Sequence, residues 1–206
     1  MIRVGILAGH HGAGTGASIF DRDEFTLAAG DAFELARSFE ADGLIEPVVI
    51  VLDQTLHPWD LVQKTSKLSP PSFLGGWGNI DIRATWAVRE GVQAAVEFHY
   101  NRSALNDLGL VNAEGHEVYI RRRPGLRTRR LGEILIEEMN VLIGNRNRGL
   151  KEKNFRILRK LHAANIPAAL LEPAFIAETR VETKAWRGQY VGAVKSALYR
   201  YFTLGG

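Results

Sequence analysis

The chain begins with an apolar run at residues 2–8, broken only by Arg3, that stops abruptly at Gly9. A strand without polar alternation is covered on both faces, which is typical of a parallel sheet between two layers of helices. His10, His11 and a turn rich in glycine and alanine follow directly. Because ligands of an open α/β sheet bind beyond the carboxyl ends of its strands, a histidine at this point is well placed for chemistry.

Similar apolar segments alternate with helical patterns along the rest of the chain. Buried strands are predicted at 47–52, 94–98, 117–120, 155–158 and 168–171, and helices at 24–41, 82–91, 131–142 and 188–201. This alternation predicts an α/β fold, a single three-layer domain over residues 1–206 with a mostly parallel central sheet flanked by helices. The segment 53–81 is irregular, and a loop of that length in a compact domain is usually functional or disordered.

The composition excludes several kinds of site. The chain has no cysteine, which rules out a disulfide scaffold, a thiolate zinc site and a cysteine nucleophile. Any metal is therefore expected on histidine and carboxylate ligands. Since no apolar stretch is long enough to span a bilayer, no stable membrane association is expected. The first strand starts at Ile2 without a signal-peptide pattern, so we expect synthesis in the cytoplasm without an export signal.

Six arginines lie within ten positions, at 121–123, 127, 129 and 130. The default interpretation of such a cluster is a solvated face leading into a helix. The alternative is a contact surface for an anionic polymer or for substrate carboxylates. Nucleic acid is not an expected partner, because no RNA-binding, helix-turn-helix or zinc-finger pattern accompanies the arginines.

Four residues suggest a hydrolytic metal site. His10, His99 and Glu172 each fall at or just past the end of a predicted strand, and Glu24 opens the first helix. A catalytic zinc site needs three protein ligands and an open position, and a separate carboxylate then moves the protons. A satisfied core histidine and a helix N-terminal acid are the simpler interpretations of His99 and Glu24. A carboxylate directly after a buried strand, as at Glu172, is costly unless it has a partner.

These residues lie in motifs that resemble those of a known enzyme family. The motifs are LAGHHG at 7–12, EFTLAAGDAFELARSFEADG from residue 24, VEFHYN at 96–101 and IPAALLEPAFIAE at 166–178. They resemble the zinc-dependent N-acetylmuramoyl-L-alanine amidases, a bacterial and phage family that cuts peptidoglycan between the glycan and its stem peptide. The resemblance extends over nearly the whole chain, from Ile2 to Phe202.

The resemblance implies a cofactor and roles for the four residues. Zn²⁺ would be bound by His10, Glu24 and His99, and Glu172 would be the catalytic residue that takes a proton from water and passes it to the leaving amine. The residues before Glu24 match the family poorly, so Asp21 or Asp23 is an alternative to Glu24 as the ligand. His11 stands where the family commonly has glycine and is interpreted as a loop residue or a neighbour of the ligands.

The resemblance also implies a substrate and residues that contact it. Peptidoglycan is the expected partner, and Asn101, which closes the VEFHYN motif, is a candidate for substrate binding. Trp77 in the segment GGWGN at 75–79 is a second candidate, because an indole can stack on a sugar ring; a flexible surface segment is the simpler interpretation.

The expected biological role is that of a phage or prophage endolysin that lyses the cell wall. Such an enzyme would accumulate inside the cell and reach the wall or periplasmic peptidoglycan once a separate protein opens the membrane. A monomer is expected, because no heptad pattern or large apolar stripe is evident. The alternatives are a zinc amidohydrolase or carboxypeptidase acting on a small acyl-amino acid or peptide, and a non-catalytic wall-binding module.

Overall fold

The computed structural model describes residues 1–11, 16–19, 21–40, 43–52, 79–103 and 113–205. The strands are β1 (Ile2–Ala8), β2 (Ser18–Ile19), β3 (Arg22–Asp23), β4 (Ile45–Ile50), β5 (Ala94–Phe98), β6 (His116–Arg121), β7 (Asn147–Lys153) and β8 (Ala168–Glu172). The α-helices are α1 (Glu24–Phe39), α2 (Asn79–Arg89), α3 (Leu126–Leu142), α4 (Arg156–Ala163) and α5 (Lys184–Thr203), and a 3₁₀ helix spans Thr179–Glu182.

The six longer strands form one sheet in the order β4-β1-β5-β8-β6-β7. Strands β4, β1, β5 and β8 run parallel to one another. Strand β6 is antiparallel to β8 and parallel to β7, so the last two strands run the opposite way. The prediction of a mostly parallel sheet is confirmed, and the short strands β2 and β3 pair separately as an antiparallel ribbon.

The described helices cover both faces of this sheet. Helices α1, α3 and α5 pack together on one face, where their buried residues share an apolar cluster with the sheet. Helices α2 and α4 contact each other on the other face and close a second, smaller cluster. The predicted three-layer α/β architecture is therefore confirmed. None of the described helices is both long and apolar enough to pass through a membrane.

Helix α1 is fixed at its start and along its buried face. The side chain of Asp23 accepts a hydrogen bond from the Thr26 N–H at 2.9 Å and so caps the helix. Two turns after Glu24, the fully buried Asp31 accepts hydrogen bonds from the Tyr100 hydroxyl, at 2.5 Å, and from Arg187 of α5, at 2.7 Å. Burial raises the pKa of Asp31 to about 6. These contacts tie α1 to the chain just after β5 and to α5.

The prediction of a strand at 155–158 is wrong, because helix α4 begins at Arg156. Its buried residues Ile157, Leu158 and Leu161 have the i, i+1, i+4 spacing of a helix face. A short apolar run does not distinguish a strand from a buried helix, and the segment 155–158 includes only the first two of these three positions.

Strand β7 was not predicted, and two helices start earlier than expected. The sequence of β7, NRGLKEK, has almost no apolar pattern, because β7 lies at the edge of the sheet and is only partly buried. Helix α3 begins at Leu126 instead of 131, and α5 at Lys184 instead of 188. Three of the five residues added to α3 are arginines, none of them buried, which carry no hydrophobic signal. Most of the irregular segment 53–81 lies outside the described residues.

The arginine cluster lies far from the predicted site. It begins at the end of β6, which runs against β8, so it occupies the edge of the sheet where β5 and β8 begin. Arg129 pairs with Glu152 on β7, and Arg130 donates to the carbonyl of Leu204 at 2.6 Å. The arginine cluster therefore forms a surface at the opposite end of the sheet from the carboxyl ends of β1, β5 and β8.

Candidate active site

His10 lies just after β1 in a tightly held turn. Its backbone has a φ of 63°, a left-handed conformation that is uncommon for a residue other than glycine. The Gly9 N–H donates to the carbonyl of Phe98 at 2.8 Å, and Arg83 donates to the carbonyl of His10. These bonds fix the turn against the end of β5, so the imidazole of His10 lies at the carboxyl ends of the parallel strands.

Glu24 is the first residue of α1, and its carboxylate points into the same edge. One oxygen, Oε2, accepts the N–H of Ala17 at 2.7 Å, and the other, Oε1, accepts the N–H of Tyr100 at 3.1 Å. The side chain is only 6% exposed. Asp23, the alternative ligand, instead caps α1, and Asp21 is exposed. The structure thus places Glu24 at the site and Asp23 in a helix cap.

The two histidines meet on the carboxylate of Glu24. His10 Nε2 lies 3.0 Å from Glu24 Oε2, and His99 Nδ1 lies 2.8 Å from Glu24 Oε1. The imidazole rings meet edge to face with centroids 5.1 Å apart. One ligand atom from each residue lies within 4.8 Å of the others, and no other group of three such residues exists among the described parts of the chain. Two histidines and a carboxylate are a donor set that suits zinc.

The charges around His99 favour a cation in the site. Burial opposes ionisation of both His99 and Glu24, but the contacts between them outweigh it. Hydrogen bonds to Glu24 and Glu97 raise the pKa of His99 to about 10, while His10 and His99 hold the pKa of Glu24 well below its usual range. The metal-free site therefore retains a proton that a metal ion would displace on binding.

Glu172 ends β8 and faces the same cavity as the three residues. The cavity has a volume of about 370 Å³, and His10, Glu24, His99 and Glu172 all line it. Burial, reinforced by the neighbouring carboxylates, raises the pKa of Glu172 to about 8, although His99 opposes the shift. No described residue donates a hydrogen bond to its Oε2 atom. Such a carboxyl group is suited to exchange a proton with a molecule in the cavity.

Asn101 lines this cavity as well, and its amide is held by a carboxylate that the sequence analysis missed. Its Nδ2 donates to Glu117 Oε1 at 2.7 Å. Glu117 lies opposite Glu172 in the β6–β8 register and is 2% exposed. Burial is overcome by Lys151, Asn101, Tyr119 and Arg148, which lower the pKa of Glu117 to about 2. Glu117 is thus a fixed negative charge beside Glu172.

Two other predicted residues have different outcomes. His11 lines an adjoining cavity of about 340 Å³ together with His10 and His99, so it is a neighbour of the ligands. Trp77 lies outside the described residues, and its predicted contact with a sugar stays a prediction.

A family model described as N-acetylmuramoyl-L-alanine amidase matches residues 4–200. The chain belongs to this amidase family. Comparison of the amidase with curated protein sequences found no match.

Solved structures share the fold of this amidase over its whole length. An N-acetylmuramoyl-L-alanine amidase from Clostridium difficile 630 is 22% identical, with a TM-score of 0.78 and coverage of 100% of this chain and 98% of that one. The CwlD amidase from Clostridioides difficile, solved in complex with the GerS lipoprotein, is 16% identical, with a TM-score of 0.75 and coverage of 99% and 100%. The catalytic domain of an endolysin targeting Clostridia difficile is 16% identical, with a TM-score of 0.66 and coverage of 97% and 98%.

Two glycines leave room for the side chains of His10, Glu24 and His99 in the amidase. A Cβ atom added at Gly9 would lie 2.2 Å from Cε1 of His99. One added at Gly16, whose φ is +85°, would lie 2.7 Å from both Nε2 of His10 and Oε2 of Glu24. The backbone therefore approaches the side chains of the candidate site so closely that only glycine fits at these two positions.

Substituting Gly9 by alanine is expected to lower turnover of peptidoglycan by about 10²-fold, because the new methyl group displaces the ring of His99 by the order of an ångström. The measurement is the rate of peptide release by the purified variant. Gly188→Ala is the matched control, since an added Cβ there meets no atom within 4 Å. Equal rates for the two variants would show that the His99 ring need not stand where the structure places it.

Proposed function

We propose that this amidase is a zinc enzyme that hydrolyses the amide bond between N-acetylmuramic acid and L-alanine in peptidoglycan. The observation that carries the proposal is the convergence of His10, Glu24 and His99 beside the buried carboxyl group of Glu172. Membership of the amidase family supports the bond that is cut. The catalytic domain is proposed to extend over residues 1–206.

The proposed metal ligands are His10, Glu24 and His99. Nitrogen and carboxylate donors fit Zn²⁺, and the site lies in a cavity that is open enough for a substrate group. When bound, zinc supplies Lewis acidity and lowers the pKa of a water molecule towards 7. The backbone N–H groups of Ala17 and Tyr100 hold both oxygens of Glu24, which orients the carboxylate before any metal arrives.

Glu172 is proposed to move the proton. In its ionised form the carboxylate accepts a proton from the attacking water, and it returns that proton to the nitrogen of the leaving L-alanine. The free Oε2 atom and the shifted pKa of Glu172 support this role. Neighbouring Glu117 is held in its ionised form by ion pairs with Arg148 and Lys151 and is therefore a support rather than a second proton carrier.

Asn101 is proposed to contact the substrate. Since one N–H of its Nδ2 is engaged by Glu117, its contribution would come from the side-chain oxygen, which can accept an N–H of the peptide, or from the second N–H of Nδ2. Trp77 stays a proposed sugar-stacking residue, and only its residue type supports this role. No role in nucleic-acid binding is proposed.

The proposed setting is cell-wall lysis by a phage or prophage endolysin acting as a monomer. The fold likeness to an endolysin catalytic domain supports this setting, whereas the likeness to the CwlD amidase, solved with a lipoprotein, favours a bacterial enzyme with a partner. Expression of the chain in a bacterium with and without a membrane-pore protein tests the endolysin setting, since an endolysin lyses the cells only when the pore is present.

Mass spectrometry of the products released from purified peptidoglycan tests the reaction itself. We expect free peptides that begin with L-alanine, their disappearance when a zinc chelator is added, and their return when Zn²⁺ is restored. Intact glycopeptides together with a protein that binds zinc would contradict the proposed substrate and favour hydrolysis of a small acyl-amino acid. Wall binding without any bond cleavage would favour a non-catalytic module.

A further inference from the structure

A buried ion pair that the proposed reaction does not use lies directly behind His99. Glu97 is on β5, two residues before His99, and Arg83 is on α2. Their side chains are each 3% exposed, and Arg83 lies 2.9 Å from Glu97 Oε1. Burying two charges is costly because both lose their hydration, and apolar residues of similar volume are often at least as stabilising. The pair therefore calls for a reason other than stability.

The pair contacts both histidines of the site. The second oxygen of Glu97, Oε2, lies 3.3 Å from Nε2 of His99. The second terminal nitrogen of Arg83 donates to the backbone carbonyl of His10. One ion pair thus contacts the ring of one histidine and the turn that carries the other.

These contacts distinguish the two nitrogens of the His99 ring. Nδ1 faces Glu24 at 2.8 Å, and Nε2 faces Glu97 at 3.3 Å. A neutral imidazole carries its proton on one nitrogen and offers a lone pair on the other, and the hydrogen bond at one nitrogen decides which is which. An ionised carboxylate accepts hydrogen bonds but donates none, and both ring nitrogens face one. Because Glu24 is itself a proposed metal ligand, Glu97 is the carboxylate left to accept the ring proton, which favours the form of His99 with that proton on Nε2.

We propose that Glu97 is a positioning residue that holds the proton of His99 on Nε2 and so leaves Nδ1 as the metal-binding atom. Arg83 in turn fixes the positions of Glu97 and of the turn that carries His10. The inference rests on the proposed metal centre. Carboxylate partners of this kind orient a histidine ligand and raise its basicity. The pair also explains why α2, which supplies none of the proposed metal or proton-transfer residues, is fixed against this edge of the sheet.

The direct test needs no variant. The full-length protein is labelled with ¹⁵N at histidine and loaded with ¹¹³Cd²⁺ as a magnetic probe for the zinc position. We expect coupling from cadmium to Nδ1 of His99 and a proton on Nε2. Coupling to Nε2 would overturn the proposal. Peptide release by the zinc-loaded protein is measured separately, so this failure is distinct from failure of the proposed amidase reaction.

Variants test whether the ion pair matters for the metal. Arg83→Met combined with Glu97→Leu removes both charges together, which avoids leaving one buried charge alone. We expect this double variant to keep the melting temperature of the metal-free wild type but to bind Zn²⁺ roughly 10–100-fold more weakly, as measured by competition with a chromophoric chelator. Unchanged zinc affinity in the folded double variant would overturn the proposal.

Two single variants complete the experiment. Glu97→Gln retains an acceptor for the proton on Nε2 but lacks the charge, so we expect a zinc affinity between those of the wild type and the double variant. Glu90→Gln is the matched control, because Glu90 is also 2% exposed and paired with an arginine, Arg3, but lies at the opposite edge of the sheet. An equal loss of zinc affinity in the Glu90 variant would mean that the effect is a general one on stability, which contradicts the proposal.

Discussion

Replacing Glu172 by glutamine is expected to lower the turnover of purified peptidoglycan by roughly 10²–10⁴-fold while the protein keeps its zinc. Glutamine has nearly the same shape but cannot accept a proton from water or return it to the leaving amine. The pKa of about 8 that burial gives Glu172 belongs to the metal-free site; positive charge next to a carboxylate favours its ionised form. Peptide release by mass spectrometry and zinc content by elemental analysis are the two measurements.

The matched control for this experiment is Glu182→Gln. Glu182 lies in the same part of the chain but is 54% exposed and paired with Arg22, so its loss should leave both turnover and zinc content unchanged. Turnover close to the wild-type value in the Glu172 variant would remove Glu172 from the mechanism. A loss of zinc together with turnover would instead assign Glu172 to the metal site.

The location of the site could be predicted from the sequence, because three of the site residues lie at or just after the carboxyl ends of buried parallel strands. His10, His99 and Glu172 lie after β1, after β5 and at the end of β8, and these strands are neighbours in the order β1-β5-β8. Parallel strands bring their carboxyl ends together whatever the details of the side chains. To predict the positions of these three residues, only the strands and their direction had to be known.

The position of Glu24 could not be predicted from the strand ends alone, because Glu24 follows no long strand. The resemblance to the amidase family gave its position, whereas the local pattern, an acidic residue opening a helix, is equally typical of a simple helix cap. The structure separates the two roles between neighbours, with Asp23 as the cap and Glu24 turned towards the histidines.

Glu97 and Glu117 could not have been predicted from local patterns. Both lie within strands that are otherwise largely buried and apolar, and their partners Arg83 and Lys151 come from other elements. Glu117 reaches the site only because β6 runs antiparallel to β8, which places the start of β6 beside Glu172. Strands that alternate with helices along a sequence predict a parallel sheet throughout. Because β6 runs in the opposite direction, the position of Glu117 beside the site was not predicted.

Replacing His99 by alanine is expected to abolish detectable peptide release and to reduce the zinc content from one ion per chain to background. Only two of three proposed ligands remain, and the carboxylate of Glu24 loses the ring that lies 2.8 Å from its Oε1 atom. Thermal unfolding gives an independent readout, because a ligand that binds only the folded state stabilises it by about 2.7 kcal/mol at 100 times its dissociation constant. Added zinc should therefore raise the melting temperature of the wild type but not that of the variant.

His162→Ala is the matched control for this last experiment, since His162 lies on α4 and is not part of the His10–Glu24–His99 group. It should bind zinc, gain stability from it and release peptides as the wild type does. One zinc ion per chain with wild-type affinity in the His99 variant would break the proposed ligand set, and the metal would then have to be sought at a different group of side chains. Loss of zinc with turnover intact would be a different contradiction, because it would separate the metal from the reaction and leave Glu172 to act without it.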